Sequence, residues 1–110
     1  MSDEAILILT NLPDPQSAAQ LAEKLIGERL AACVNILAPC TSVYRWRGKI
    51  ETAQETPLLI KTLRVHYGKL EQAIRTHHPY ELPEIIALPI EAGLPAYLAW
   101  VAAETGSTEK

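Results

Sequence analysis

The segment Ala32–Arg64 reads ACVNILAPCTSVYRWRGKIETAQETPLLIKTLR, and it decides the fold of this chain. The residues Trp46-Arg47-Gly48-Lys49 near its middle are typical of a turn, and the residues on either side have an extended pattern. The segment therefore predicts a β-hairpin with arms of about fifteen residues, whereas an ordinary strand has five or six. Pro39 and Pro57 fall within these arms, and each marks an edge or a bulge because proline cannot donate to a strand ladder.

Arms of this length have a consequence for assembly. They extend beyond the rest of a small sheet and leave backbone groups unpaired, and such groups must be covered. In a chain of 110 residues the most available cover is another copy of the same chain. We therefore expect a homo-oligomer in which the hairpins contact neighbouring copies.

The regions around the hairpin complete a recognisable order of elements. The sequence predicts a strand at Ala5–Leu9, a helix that Asp14 caps and that runs from Pro15 to about Leu30, a helix from about Val65 to His77, a strand at Ile85–Ile90, and a last helix opened by Gly93-Leu94-Pro95. This order is βαββαβ followed by a C-terminal helix, the α+β ferredoxin-like plan. We expect one domain over residues 1–110, with residues 105–110 as a frayed tail.

Composition and charge exclude several classes of partner. Hydrophobic residues make up 48% and charged residues 21%, and the formal net charge is −3. Because no basic patch is concentrated enough to neutralise phosphates, we expect neither a nucleic-acid nor a membrane partner. The acidic start MSDEA lacks the pattern of a secretory signal, so the expected location is cytoplasmic. Cys33 and Cys40 have no CxxC spacing and should lie about 20 Å apart, beyond disulfide reach.

The stretch THHPYELPEI, Thr76–Ile85, holds two adjacent histidines. Pro79 disfavours helical geometry at His78, so we expect His77 on the apolar stripe of the helix and His78 in the following loop. Three interpretations stay open: structural residues near a helix C-terminus, metal ligands, or an acid–base pair. The spacing does not decide among them, because neighbours on a helix point about 100° apart.

A few other residues have chemistry that a site could use. Glu84 precedes a strand that we expect to be buried. Two interpretations are open: its carboxylate has a raised pKa because of that position, or it is a solvated glutamate of the loop. Tyr44, Trp46 and Tyr80 predict either a cleft between subunits or interface packing. Lys61 either extends to the surface or anchors an anion. The sequence has no nucleophile elbow, phosphate-binding glycine loop or zincin spacing, so we expect no enzymatic activity and no organic cofactor.

Five motifs in order resemble the CutA divalent-ion-tolerance family. They are LAACVNIL (Leu30–Leu37), TSVYRWRGKIE (Thr41–Glu51), the pair Lys61-Thr62, HHPYELPEI (His77–Ile85) and YLAW (Tyr97–Trp100). The resemblance covers about Ala5 to Trp100. It implies a ferredoxin-like protomer, a homotrimer whose long hairpins pair between subunits, and a cleft at each subunit boundary similar to that of PII-type signalling proteins. By position the cleft would be lined by Tyr44, Trp46, Lys61, His78, Tyr80 and Glu84, with Trp100 nearby.

The same resemblance implies a function in divalent-metal-ion tolerance and homeostasis, with copper or another divalent cation bound near His77 and His78. The family's copper site also uses a cysteine at the end of the first strand, where this chain has Thr10. Because a hydroxyl is a poor ligand for copper, the resemblance implies only weak binding of Cu(II) or another divalent ion. The alternative function is a PII-like small-molecule sensor, in which Lys61 and Trp46 hold an anionic ligand in the inter-subunit cleft.

Overall fold

A computed structural model describes residues 4–106 of the protein. In chain order its elements are β1 (Ala5–Leu12), α1 (Pro15–Gly27), β2 (Cys33–Ile36), β3 (Cys40–Trp46), β4 (Lys49–Leu63), a 3-10 turn (Arg64–His66), α2 (Tyr67–His77), β5 (Ile85–Pro89) and α3 (Pro95–Glu104). The strands lie in the order β2-β4-β1-β5, all pairs are antiparallel, and β3 pairs with the outer half of β4. The predicted α+β ferredoxin-like fold with a C-terminal helix is confirmed.

The long hairpin is present, but only one of its arms is continuous. β4 has 15 residues, as predicted, whereas the other arm is divided into β2 with 4 residues and β3 with 7. The division falls at residues 37–39, where Pro39 has no N–H to donate to β4. The last bond before this gap is the one that the Leu37 N–H donates to the Pro57 carbonyl at 3.0 Å. At the tip, Arg47 and Gly48 adopt positive φ angles of 52° and 82°, which a tight hairpin turn requires.

Helix α1 begins where the sequence predicts. Asp14 has an extended backbone, and its Oδ1 atom accepts a hydrogen bond from the Ser17 N–H at 2.8 Å. Pro15 occupies the first turn, where its missing N–H leaves no helical bond unmade. The N-terminal cap is therefore set by local sequence.

The end of α1 differs from the prediction, because the helix stops at Gly27 and not near Leu30. Arg29 adopts a left-handed φ of 58°, and the chain turns so that the Leu30 N–H donates back to the Leu25 carbonyl at 3.0 Å. The Arg29 guanidinium donates to two backbone carbonyls near the end of α3, at 2.9 and 3.2 Å. Arg29 therefore lies where α1 ends and also binds the C-terminal end of α3.

The expected frayed tail is held in place at its first two residues. The Thr105 hydroxyl donates to the Val101 carbonyl at 3.1 Å, and the Gly106 N–H donates to the Arg29 carbonyl at 2.8 Å. Residues 107–110 lie outside the described part of the chain, as do residues 1–3.

Two layers form the core. Because strand residues alternate between faces, every second residue of β1 and β4 faces α1 and α2. Ile6, Ile8, Leu58 and Ile60 on this side are fully buried against both helices. No helix within residues 4–106 is both long enough and apolar enough to cross a bilayer.

The opposite face of the sheet is less well covered. Register places its residues in two rows, one of Leu88, Leu7 and Lys61 and one of Ile86, Leu9 and Leu59, and we call these six residues the open sheet face. Helix α3 covers only one end of the sheet, where Val101 packs against Ala5 and Leu63. The expectation of a buried strand at Ile85–Ile90 is therefore wrong for the single chain: β5 is an edge strand, and its Ile86 and Leu88 are 48% and 44% exposed.

Candidate functional site

The two adjacent histidines have different environments. Helix α2 ends at His77, and His78 has an extended backbone with φ −83° and ψ 134°, as the following proline predicts. The expected burial is reversed, however, because His78 is buried and His77 is exposed. The buried stripe of α2 runs through Leu70 and Ile74, and the next step of four residues reaches His78, whose N–H donates to the Ile74 carbonyl at 2.8 Å.

Both ring nitrogens of His78 take part in hydrogen bonds. Nε2 lies 2.6 Å from the Asn11 carbonyl oxygen, and Nδ1 accepts from the Tyr80 N–H at 3.2 Å. Since a carbonyl can only accept, Nε2 carries the proton and Nδ1 offers its lone pair to Tyr80. The imidazole also lies against the Tyr80 ring, with 4.7 Å between ring centroids. A metal ion at His78 would have to displace one of these partners.

His77 has the more available ring. Its Nδ1 lies 3.1 Å from the Ala73 carbonyl one turn earlier, so Nδ1 donates and the Nε2 lone pair is left on an exposed side chain. The His77 ring is thus held by Ala73 of its own helix, whereas the His78 ring is held by Asn11 and Tyr80. Within residues 4–106, His, Cys, Asp and Glu side chains form no group of three or more that could hold a metal ion.

Thr10 does not lie near solvent. It is 1% exposed on the helix-facing side of β1, and its hydroxyl has no hydrogen-bond partner in the described structure. The two cysteines are free thiols, as expected from their spacing. Cys33 is half-buried with the Lys61 Nζ atom 3.8 Å from its sulfur, and Cys40 is exposed.

A cleft of about 860 Å³ lies between the hairpin and the loop that follows α2. It brings together four of the predicted residues, Tyr44, Trp46, Tyr80 and Glu84, and it adds two carboxylates that sequence reasoning did not select, Glu55 and Glu81. Glu55 escaped notice because ETAQET, residues 51–56, has the polar alternation of an exposed strand. No signal in one sequence marks it as buried.

Two polar contacts connect the cleft walls. The Asn11 Nδ2 atom donates to Glu84 Oε1 at 3.0 Å, which joins the end of β1 to the loop. At the hairpin tip, Arg47 Nη2 lies 3.2 Å from Glu81 Oε1, and the guanidinium carbon lies 5.1 Å from the centre of the Trp46 ring. The loop is thus attached to both the sheet and the hairpin.

Tyr80 and Glu55 are neighbours in the lining of the cleft. Glu55 is only 9% exposed, although it is a carboxylate. Burial, followed by the neighbouring Glu55 carboxylate, raises the pKa of Tyr80 to about 12. The phenol is therefore neutral at any physiological pH.

Lys61 and Trp100 lie outside this cleft in the single chain. Lys61 is on the open sheet face, where its ammonium donates to the Asn35 side chain. Trp100 is in α3, 42% exposed, with its ring 5.5 Å from that of Tyr97. Of the predicted cleft set, Lys61, His78 and Trp100 are therefore not among the residues that line this cleft in the single chain.

The family model described as CutA1 divalent ion tolerance protein matches residues 6–104. The divalent-cation tolerance protein CutA of Thermus thermophilus is 44% identical over 100 residues, covering 91% of this chain and 97% of that relative. The protein of the same name from Citrobacter koseri is 40% identical over 98 residues, covering 89% of this chain and 85% of its own length.

Solved structures agree with this relationship. CutA from Xylella fastidiosa superposes with a TM-score of 0.91 at 47% identity, covering 94% of this chain and 99% of that one. CutA1 from Oryza sativa gives a TM-score of 0.93 at 37% identity, covering 97% and 98%. With a family match across nearly all of its length and the same fold in these relatives, the chain belongs to the CutA1 divalent ion tolerance family.

Proposed function

We propose that this chain acts as a homotrimer in divalent-metal-ion tolerance and homeostasis, and that it binds Cu(II) or another divalent cation near His77 and His78. Membership of the CutA1 family supports the tolerance role. The open sheet face is the structural observation that supports assembly into a trimer. The exposed ring of His77 is the observation that supports metal binding.

The assembly argument rests on uncovered apolar surface. Isolated exposed hydrophobic residues are normal, but a contiguous apolar face next to a free strand edge favours an interface. Apart from Lys61, the residues of the open sheet face are aliphatic, and Ile86 and Leu88 at its free edge are nearly half exposed. On the hairpin, Val43 and Ile50 are 67% and 70% exposed, which supports contact between the arms of neighbouring copies.

The metal argument rests on His77. A metal-bound histidine usually donates its other ring N–H to a backbone carbonyl or a carboxylate, and Nδ1 of His77 has such a partner in Ala73. His78 joins the site only if it gives up Asn11 or Tyr80. Thr10 contributes a buried hydroxyl and no strong ligand. These donors fit weak binding, completed by water or by a neighbouring copy.

Calorimetric titration of the assembled protein with Cu(II) tests the metal proposal. Wild type should take up copper, and His77→Ala should abolish that uptake because it removes the available imidazole. Arg75→Ala is the control, since Arg75 is exposed on the same helix and is not among the residues lining the groove that His66 and His77 share. Equal uptake by wild type and His77→Ala would refute binding at this histidine.

The presence of a cleft supports the PII-like alternative, but the negative charge of that cleft argues against an anionic ligand. Its lining includes the carboxylates Glu55, Glu81 and Glu84 and no basic residue, so it repels an anion. Lys61 would have to come from a neighbouring copy. A thermal-shift screen of nucleotides, phosphate and carboxylates tests this alternative: a stabilising ligand whose effect is lost in Lys61→Ala would support it.

We also propose that the protein is not an enzyme, that it carries no organic cofactor, that it has no nucleic-acid or membrane partner, and that it is cytoplasmic. The chain's net charge of −3 supports the absence of a nucleic-acid partner. One solved relative, from Archaeoglobus fulgidus, is described as a periplasmic divalent cation tolerance protein, so cell fractionation is the direct test of the compartment.

A further inference from the structure

Two threonine hydroxyls are buried on the helix-facing side of the sheet. Thr10 of β1 and Thr56 of β4 are each 1% exposed. Within residues 4–106, neither hydroxyl oxygen has a hydrogen-bond partner. Buried polar side chains in native proteins are nearly always bonded to protein or to ordered water, because an unpartnered hydroxyl is costly to bury. The two hydroxyls therefore point to a partner other than the described chain.

The strand register makes the two threonines neighbours. Thr10 is paired with Leu58 and Leu12 with Thr56, so these four residues form two adjacent rows on one face of the sheet. The threonines occupy one diagonal of the square, where Cα atoms are about 7–8 Å apart. One water molecule can join two oxygens that are up to about 5.6 Å apart, which is twice the usual length of an O–H···O bond. Two side chains on such a diagonal fall within that reach.

The surroundings of the threonine pair favour water over an ion. Leu12 and Leu58 on the other diagonal are buried members of the main hydrophobic core. A cation in such surroundings requires several strong ligands, and the described part of the chain has no cluster of three His, Cys, Asp or Glu side chains. A water molecule has no net charge to desolvate, and it can both donate to and accept from a hydroxyl.

Thr62 shows the alternative, in which the chain itself supplies the partner. Thr62 is fully buried on the same face of β4, and its hydroxyl donates to the Leu30 carbonyl at 2.7 Å. That carbonyl belongs to the segment between α1 and β2. Thr10 and Thr56 have no such carbonyl within hydrogen-bond distance among the described residues. The difference between these threonines is therefore the partner and not the burial.

We propose that Thr10 and Thr56 together hold one internal water molecule between β1 and β4, and that this water is part of the folded structure. The site lies within one chain, on the side of the sheet opposite the open sheet face, so it depends neither on the trimer nor on the proposed metal site. Asn11 is the next residue after Thr10, and its carbonyl holds the ring of His78. The water thus joins the two strands at the point where β1 positions the buried histidine.

A crystal structure of the full-length protein, at a resolution that shows ordered water, tests the site directly. We expect one peak of electron density within hydrogen-bond distance of both hydroxyl oxygens. The peak should be lost when Thr10→Val and Thr56→Val are combined, since valine replaces each hydroxyl by a methyl group of similar shape. Thr62→Val is the matched control and should keep the peak. No density at this position in wild type, or a peak that persists in the double variant, would overturn the proposal.

Unfolding temperatures measured at one fixed protein concentration test the same claim in solution. Thr10→Val and Thr56→Val should each lower the Tm by a few degrees. The double variant should fall no further than the larger single effect, because the first change already releases the shared water. Two hydroxyls without any partner would give the opposite result, since each valine would then raise the Tm. Additive effects of either sign would overturn the proposal, and the wild-type crystal decides the matter if a variant does not fold.

Discussion

The Nε2 atom of His78 lies 2.6 Å from the backbone carbonyl oxygen of Asn11. The other ring nitrogen accepts the N–H of Tyr80, so one imidazole connects the end of α2, the end of β1 and the first part of the loop at residues 78–84, which we call the cleft loop. Asn11 in turn holds Glu84 through its side chain. The position of the cleft loop therefore depends on a buried histidine whose ring need not contact any ligand.

This arrangement predicts unequal effects for the two histidines. His78→Ala leaves the Asn11 carbonyl and the Tyr80 N–H without their partner, and should lower the free energy of unfolding by about 1–3 kcal/mol. His77→Ala changes an exposed side chain and should stay within about 0.5 kcal/mol. Denaturant titration of both variants measures the difference, and equal losses would contradict the structural role assigned to His78.

Asp14 predicts an acid-dependent contribution from the start of α1. The backbone N–H and the hydroxyl of Ser17 donate to the carboxylate and lower the pKa of Asp14 below its ordinary value of 3.8. The folded state therefore binds this proton less readily than the unfolded state, so the stabilisation is present above pH 3.8 and is lost as the pH falls through the folded pKa. Asp14→Ala should be less stable than wild type at neutral pH, and the gap should narrow in acid.

The control for that prediction is Asp14→Asn, which keeps a capping side chain and removes the titrating group. Its unfolding free energy should lack the part of the acid dependence that Asp14 contributes. A gap between wild type and Asp14→Ala that stays constant as the pH falls would show that the charged cap is not what stabilises the helix.

The raised pKa of Tyr80 predicts that stability is lost at alkaline pH, whereas the lowered pKa of Asp14 predicts a loss in acid. Its folded pKa is about 12, against an ordinary value of 10.0, so the unfolded state ionises first. The stabilisation is complete below about pH 10 and is lost as the pH rises towards about 12. In a tyrosinate absorbance titration, Tyr80→Phe should lose the component with the highest midpoint. Loss of a component with an ordinary midpoint would contradict the burial of Tyr80 beside Glu55.

Local chemistry explains which parts of the fold the sequence could predict. The hairpin turn depends on Arg47 and Gly48, and the start of α1 depends on Asp14 and Pro15, all of which act through neighbouring backbone. The end of α1 was not predictable in the same way. Arg29 leaves helical geometry while its side chain binds carbonyls near the end of α3, a contact between distant parts of the chain.

The candidate site could be predicted only in part, because it too depends on contacts between distant parts of the chain. Tyr44, Trp46, Tyr80 and Glu84 do meet, because the hairpin tip and the cleft loop lie on one side of the sheet. The burial of the histidines depends on whether the stripe of α2 continues by three residues or by four, and the sequence allows both. Metal binding at these histidines stays a prediction.

Leu88 offers a direct test of the open sheet face. Leu88→Lys places a charge at the exposed edge of that face and should separate the copies, because burial of an unpaired charge at an interface is costly. Ile26→Lys is the matched control: Ile26 is 41% exposed on α1, in the helix layer on the other side of the sheet, and its replacement should leave the assembly intact.

Sedimentation of the wild-type protein at micromolar concentration tests the central claim most directly, since the claim is that neighbouring copies cover the open sheet face. The account predicts a single species with three times the chain mass of 12.1 kDa. A stable, folded single chain at that concentration would contradict it.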